Sequence, residues 1–104
     1  PRSEFVARFM GGHNVIPSSR GLVAVRADKT HLSREPLPAG DTVLPATVRA
    51  TEYQGTYVLL TLHSAAVDEF NVVLPEAAFE AQPWRPGDSA CAHWDAADMH
   101  PLAA

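Results

Sequence analysis

The segment CAHWDAADMH, residues 91–100, contains the only cysteine of the chain, two of its five histidines and two aspartates. Side chains of a β-strand alternate between its two faces, so Cys91, His93 and Asp95 would share one face of a strand. A thiolate, an imidazole and a carboxylate are all donors that transition metals accept. The segment is therefore a candidate metal site, and the competing interpretation is a barrel strand with a polar outer face.

The polar-face interpretation is the stronger one. Neighbours in one row of a strand point in parallel and converge poorly, whereas a zinc site needs three or four converging ligands. The same alternation turns the other row inward, namely Ala90, Ala92 and Trp94. We therefore predict no bound metal, and a Cys91 that is at least partly accessible unless a partner chain covers it, on a terminal strand that lies at a sheet edge or closes the barrel.

The zinc-like alternative needs further ligands. Asp98 and His100 follow the predicted strand end and would have to bend back toward it. The other histidines, at positions 13, 31 and 63, have no metal-ligand spacing. The serines lack a Gly-x-Ser-x-Gly context, and no Cys–His nucleophile arrangement is visible. We therefore predict no catalytic residue.

Composition places the chain among ordinary globular domains. It has 104 residues, 46% of them hydrophobic, which suffices for one core. A net charge of -4 argues against nucleic-acid binding, which needs a basic surface. A single cysteine forms no internal disulfide, and neither a membrane-spanning run nor a leader is visible, which indicates a cytoplasmic protein without direct membrane insertion. The first residue is Pro1, which suggests a piece of a longer polypeptide.

Short β-forming segments between Gly and Pro turns predict an all-β fold, a small barrel of five to six short strands. Residues 3–10, SEFVARFM, predict a short helix, DKTHLSREPLPAGD a connection, and EAAFEAQ a helical turn or loop. Alternation predicts inward rows in the strand segments. These rows are Leu44, Ala46, Val48 and Ala50, then Val58, Leu60 and Leu62, then Phe70, Val72 and Leu74.

Aromatic and basic residues form the candidate binding set. Tyr53 and Tyr57 flank a predicted Gln-Gly turn, and OB-type barrels often bind ligands on aromatic faces or loops. Arg26 and Arg49 could add positive charge for an anion. The preferred interpretation is that the tyrosines complete the barrel rim or contact a partner subunit. Ligand binding by the four residues is the alternative.

Four segments in the correct order resemble a known family. The first segment, PRSEFVARFMGGHNVI, resembles the junction after the nucleotide-binding domain in ATP-binding subunits of bacterial ABC importers. The second segment, VAVRADKTHL, resembles the V-x-V-R-P-E-x-L segment of the same family, with Ala27 and Asp28 in place of proline and glutamate. ATVRATEYQGTYVLLTL and WRPGDSACAHWDAADMHPL resemble the later strands. The family is TOBE, the transport-associated OB-like domain, and FMGGHNVI is most similar to the spermidine/putrescine type. The short connection after HNVI implies one barrel.

The resemblance implies a division into a junction helix at residues 1–12, following an absent ATPase domain, and an OB-like TOBE barrel at residues 13–104. It implies an accessory, regulatory domain that supports dimerisation and couples solute import, with polyamines as the candidate solutes, to ATP hydrolysis upstream. Its partners would be the ATPase domain, a second copy and membrane permease subunits at the inner face of the cell membrane. The chain has no G-x-x-x-x-G-K-[ST] loop, so ATP and Mg²⁺ would belong to the missing domain and no cofactor to this one.

A second class of function is small-ligand binding. Stand-alone relatives of this barrel bind oxyanions such as molybdate, and they are similar to the present chain in fold but open with S-A-R-N where this chain has HNVI. The alternative to the transporter interpretation is therefore an oxyanion-binding OB-like module.

Overall fold

A computed structural model describes residues 12–102, and strands are the main secondary structure of these residues. The strands are β1 (His13–Ser18), β2 (Gly21–Arg26), β3 (His31–Ser33), β4 (Val43–Tyr53), β5 (Tyr57–His63), β6 (Phe70–Pro75), β7 (Ser89–His93) and β8 (Met99–Pro101). One helix, α1 (Glu76–Ala81), follows β6, and 3-10 turns cover Ala27–Lys29 and Ala96–Asp98. The predicted helix at residues 3–10 lies outside the described residues, as does the junction at residues 1–12 apart from Gly12.

The strands form two antiparallel sheets and not one closed barrel. One sheet has the order β1-β2-β8 and the other the order β3-β7-β4-β5-β6. The all-β prediction is confirmed, but the expected five to six strands are too few. β3 lies in the segment predicted as a connection, and β8 follows the segment predicted to close the barrel. Both have three residues, too few to show an alternating pattern.

The core lies between the sheets and is built from the predicted inward rows. Val58, Leu60 and Leu62 of β5 have no exposed surface, and neither do Phe70 and Val72 of β6. The three-stranded sheet contributes Ile16, Val23 and Val25 to the same cluster. In the β7 segment, Ala90, Ala92 and Trp94 are buried, so the inward face predicted for that strand is confirmed.

One inward prediction is wrong, and a β-bulge explains it. Leu44 and Val48 of β4 are buried, but Ala50 is exposed. The pairing of β4 with β5 shifts register between Val48 and Ala50. An extra residue in one strand reverses the face on which later side chains lie, so the alternation cannot continue through Ala50.

A buried asparagine joins the two sheets. Asn14 of β1 is 2% exposed, and its Nδ2 donates a hydrogen bond of 2.8 Å to the backbone carbonyl of Asn71 in β6. The backbone N–H of Asn71 donates in return to Oδ1 of Asn14, also over 2.8 Å. β6 is the edge strand of the five-stranded sheet, so the Asn14 amide satisfies backbone groups that have no neighbouring strand on that side.

Within residues 12–102, the chain has no helix that combines the length and the hydrophobicity needed to cross a membrane.

Candidate functional site

A polar row crosses the outer face of the five-stranded sheet. In the pairing of β4 with its neighbours, Thr47 stands opposite Ser89 of β7 on one side and opposite His63 of β5 on the other. Directly opposed side chains of antiparallel strands lie about 4.5–5.5 Å apart at Cβ. Thr47 alternates with the inward Ala46 and Val48, so the row faces away from the core. Two hydroxyls and an imidazole therefore lie side by side on the surface.

A second row, two residues along β7, carries the cysteine. Cys91 stands opposite Pro45 of β4 and opposite Ser33 of β3. It is a free cysteine, 5% exposed, so the prediction of a partly accessible thiol is wrong. That prediction assumes a terminal strand, but β7 is an internal strand with neighbours on both sides. Pro36 and Leu37 line the same depression as Cys91.

The two rows form the floor of an open groove of about 470 Å³. The segment after β3 contributes Arg34, Pro36 and Leu37 to its lining, and the segment after β5 contributes Ser64 and Ala65. The groove size falls within the range of about 300–1,000 Å³ that small-molecule sites usually have. A mostly apolar lining with a few polar groups is also typical of such sites. The groove is therefore a candidate binding site among the described residues.

Arg34 belongs to the groove lining, and its guanidinium is held by residues that do not line the groove. Its guanidinium lies over the ring of Trp84, 4.1 Å from the ring centroid. One of its terminal nitrogens, Nη2, donates to the carbonyl of Pro83, and the other, Nη1, lies 3.5 Å from a carboxylate oxygen of Asp88. Since a guanidinium has five N–H donors, these contacts fix its orientation and leave donors for a ligand. Asp88 offsets part of its charge.

His63 has a defined tautomer in its neutral form. Its Nδ1 lies 3.0 Å from the backbone carbonyl of Asp68. A carbonyl only accepts hydrogen bonds, so in the neutral ring Nδ1 carries the proton and Nε2 is an acceptor. The carboxylate of Asp68 lies 3.4 Å from the same Nδ1, and Arg49 approaches that carboxylate at 3.9 Å. In this tautomer His63 therefore presents its Nε2 as a hydrogen-bond acceptor.

His93 forms a third outer row, separate from the groove. It stands opposite His31 of β3, and the two rings lie 5.5 Å apart between centroids. Burial lowers the pKa of His93, the charge of His31 lowers it further, and Asp95 acts in the opposite direction. His100 belongs to β8 in the other sheet, and in the described part of the chain no three His, Cys, Asp or Glu side chains form a group that could hold a metal.

The two tyrosines of the predicted binding set lie at one end of the molecule, away from the groove lining. Tyr53 ends β4 and Tyr57 begins β5, and Gly55 between them has a φ of 100°, which glycine adopts readily. Tyr53 is 60% exposed and Tyr57 39%. Tyr53 meets Phe79 of α1 edge to face, with centroids 5.7 Å apart. The hairpin tip is therefore an exposed aromatic surface.

The two arginines of that set lie in different sheets. Arg26 ends β2 and forms an ion pair of 2.8 Å with Asp28, whose pKa this hydrogen bond lowers. Arg49 lies at the bulge of β4 and is exposed. The structure does not bring the two arginines and the two tyrosines together as one site.

Sequence reasoning missed the groove residues for a clear reason. Alternation does place Pro45 and Thr47 on the polar side of β4 and Cys91 on the polar side of β7. What it does not provide is the order β7-β4-β5, which puts Ser89, Thr47 and His63 in one row. Arg34 lies in a segment that the sequence indicates only as a connection.

The structure is that of a small OB-like β domain with an open groove on its five-stranded sheet. A comparison with family models agrees, because residues 23–102 match the TOBE domain. The chain belongs to the TOBE domain family. A comparison with curated proteins finds no match.

Among solved structures, the chain is similar to the cytoplasmic molybdate-binding protein ModG, in a crystal form with molybdate bound. The TM-score is 0.64 and the sequence identity 21%, and the match covers 75% of this chain. It covers 57% of the ModG chain, so the present chain corresponds to little more than half of that protein. This likeness is one of fold.

Proposed function

We propose that this domain is a binding module, not an enzyme, and that it takes a small ligand through an oxyanion group in the groove. The observation that carries the proposal is the row formed by Ser89 and Thr47 beside the wall residue Arg34. Both hydroxyls belong to exposed residues, and hydrogen bonds from hydroxyls and a guanidinium to an anionic oxygen are stronger than those between neutral groups.

The likeness in fold to ModG supports this proposal. That protein is described as binding molybdate, a tetrahedral oxyanion. A TOBE domain of this topology therefore offers a frame on which an oxyanion site can be built. The residues that would form the site in this chain are argued from its own groove.

The test is isothermal titration of the chain with molybdate, sulfate, phosphate and acetate, each at constant ionic strength. We expect at least one of these anions to bind. The double variant Thr47→Val and Ser89→Ala removes two hydroxyls and should weaken that binding at least tenfold, because two hydrogen bonds to a charged group contribute more than about 1.4 kcal/mol together.

The matched control is Thr56→Val, the same change at an exposed hairpin position outside the groove. Thr56→Val should bind the anion with the same affinity as the unsubstituted chain. If none of the four anions binds to the parent chain, or if the double variant binds as tightly as the control, the proposal is wrong.

A second candidate function is the accessory role in an ABC importer, and the exposed hairpin tip favours it. We propose that Tyr53 and Tyr57 contact a second copy or the ATPase domain of a longer parent chain, because aromatic residues are enriched in protein interfaces. The resemblance of the first sixteen residues to the junction in such importers supports the same role, including polyamine import and permease partners at the cytoplasmic face of the membrane.

Sedimentation velocity tests the contact with a second copy. The unsubstituted chain should form a dimer. The double variant Tyr53→Ser and Tyr57→Ser should lose this dimer, and the groove variant of Thr47 and Ser89 should retain it. The coding sequence upstream of Pro1 tests whether the chain belongs to a longer ABC importer subunit. A phosphate-binding loop in the same reading frame would support that role. A monomer at all concentrations together with no ATPase sequence upstream would rule out this role.

A further inference from the structure

We infer that the ligand of the groove is an organic oxyanion, a carboxylate or sulfonate with an apolar tail, and not a bare inorganic ion. The inference rests on the proposed function, since it concerns the same site, and it specifies the class of ligand. Three properties of the groove point to it: its size, the separation of its polar and apolar ends, and its charge balance.

The groove is too large for an inorganic oxyanion alone. Five heavy atoms, each taking about the 30 Å³ of a water molecule in the liquid, fill about 150 Å³. The groove has about 470 Å³, roughly three times as much. A ligand that excludes water from this space needs more atoms than a tetrahedral oxyanion has.

The lining separates into a polar and an apolar end. The row of Ser89, Thr47 and His63 provides hydrogen-bonding groups at one end. Two residues along β4 and β7, Pro45 and Cys91 form an adjacent floor without charge. The remaining lining adds to the apolar surface, with Pro36, Leu37, Ala46, Ala65 and Ala90. A molecule with one polar head and one apolar tail fits this division.

The charges favour a head with a single negative charge. Arg34 is the one cation in the lining whose charge does not depend on pH. Asp88 lies 3.5 Å from its Nη1, so the arginine is already partly neutralised. A doubly charged anion would meet repulsion from Asp88, whereas a carboxylate or sulfonate carries one charge spread over its oxygens.

The test is a titration series with acetate, butanoate, hexanoate and octanoate against the full chain. A buried methylene contributes about 0.8 kcal/mol, so each added CH₂ should tighten binding about fourfold until the groove is filled. The variant Leu37→Ser should flatten this dependence on length. The variant Thr47→Val and Ser89→Ala should weaken every member of the series.

The single cysteine reports where the ligand lies. Cys91 is the only thiol of the chain, lines the groove and is 5% exposed, so iodoacetamide reaches it only when the groove lining opens, and the rate of alkylation measures that opening. Saturating octanoate should slow this alkylation at least fivefold, and acetate should slow it less. Alkylation that is equally fast with and without bound octanoate would place the tail elsewhere and overturn the inference.

The outcomes separate this inference from the proposed function. If molybdate, sulfate or phosphate binds in a Thr47- and Ser89-dependent way and chain length has no effect, the proposed function stands and the organic ligand is wrong. If no anion of either kind binds, both are wrong. If affinity rises with length but Leu37→Ser and the Cys91 alkylation rate show no effect, the tail does not occupy the groove, and the inference is again wrong.

Discussion

Replacing Trp94 by alanine is expected to lower the free energy of unfolding by about 3–5 kcal/mol, the usual loss when a buried large aromatic residue is truncated in a core. Trp94 is 5% exposed and stacks on Phe70, with ring centroids 5.5 Å apart. Its neighbours in the inward row of β7 are Ala90 and Ala92, which cannot extend to fill the space. A domain of this size has about 5–15 kcal/mol of stability, so the variant would lose a large part of it.

Urea unfolding monitored by far-ultraviolet circular dichroism measures this loss. Trp94→Phe is the matched variant, because it retains an aromatic ring against Phe70. It also removes the indole N–H of Trp94, which is buried and has no hydrogen-bond acceptor among residues 12–102. It should lose less than half as much stability as the alanine variant. Leu22→Ala, at a residue that is 37% exposed, should change the free energy of unfolding by less than about 1 kcal/mol. Equal stability of Trp94→Ala and the parent chain would contradict the packing of β7.

The inward rows can be predicted from the sequence because alternation is a local property. Trp94 can be assigned to the core from the residues on either side of it, and the same holds for Val58, Leu60 and Leu62. The pattern fails at Ala50, where one extra residue in β4 reverses the faces. The order of apolar and polar residues does not reveal this bulge, because Arg49 and Ala50 continue the alternation of the residues before them.

The candidate site could not be predicted because it depends on which strands are neighbours. Alternation places Cys91 on the polar side of its strand, but its burial depends on β3 and β4 on either side and on the segment that contains Pro36 and Leu37. Likewise, Thr47 and Ser89 are 42 residues apart in the chain and come together only through the pairing of β4 with β7. Strand order is a tertiary property, and periodicity contains no information about it.

Asn14 shows that contacts between distant parts of the chain also limit how much of the fold can be predicted from the sequence. In the sequence it is one polar residue at the start of an apolar segment, and nothing near it indicates a partner 57 positions away. In the structure, its amide forms two hydrogen bonds of 2.8 Å to the backbone of Asn71 and joins β1 of one sheet to the edge strand β6 of the other. A buried amide with both hydrogen bonds satisfied fixes how the sheets pack, because any other arrangement leaves polar groups without partners.

Replacing Asn14 by alanine is therefore expected to lower the free energy of unfolding by about 2–4 kcal/mol. The change leaves the N–H and the carbonyl of Asn71 buried without partners, and each such group costs about 1–3 kcal/mol. Urea unfolding provides the measurement, and Gln54→Ala, at an exposed position of the β4–β5 turn, is the control. A loss no larger than that of the control would mean that the Asn14 amide does not hold the sheets together.

The variant Asn14→Asp distinguishes the hydrogen bonds from the filling of space. A carboxylate has nearly the shape of the amide, but it cannot donate to the carbonyl of Asn71, and it places a charge where the residue is 2% exposed. A protonated carboxyl group can donate and accept as the amide does. Burial therefore raises the folded-state pKa of the introduced carboxyl group above its unfolded value of about 3.9.

The raised pKa sets the direction of the pH dependence of this variant. The pKa of the introduced carboxyl group is higher in the folded state than in the unfolded state. The stability that this group contributes is therefore present below the unfolded-state pKa and is lost as pH rises through the folded-state pKa. Relative to the parent chain at each pH, Asn14→Asp should be most destabilised near pH 7 and recover toward about pH 4, whereas Gln54→Glu should show no such recovery. A deficit that stays constant between these two pH values would show that the hydrogen bonds to Asn71 do not determine the stability of the link between the sheets.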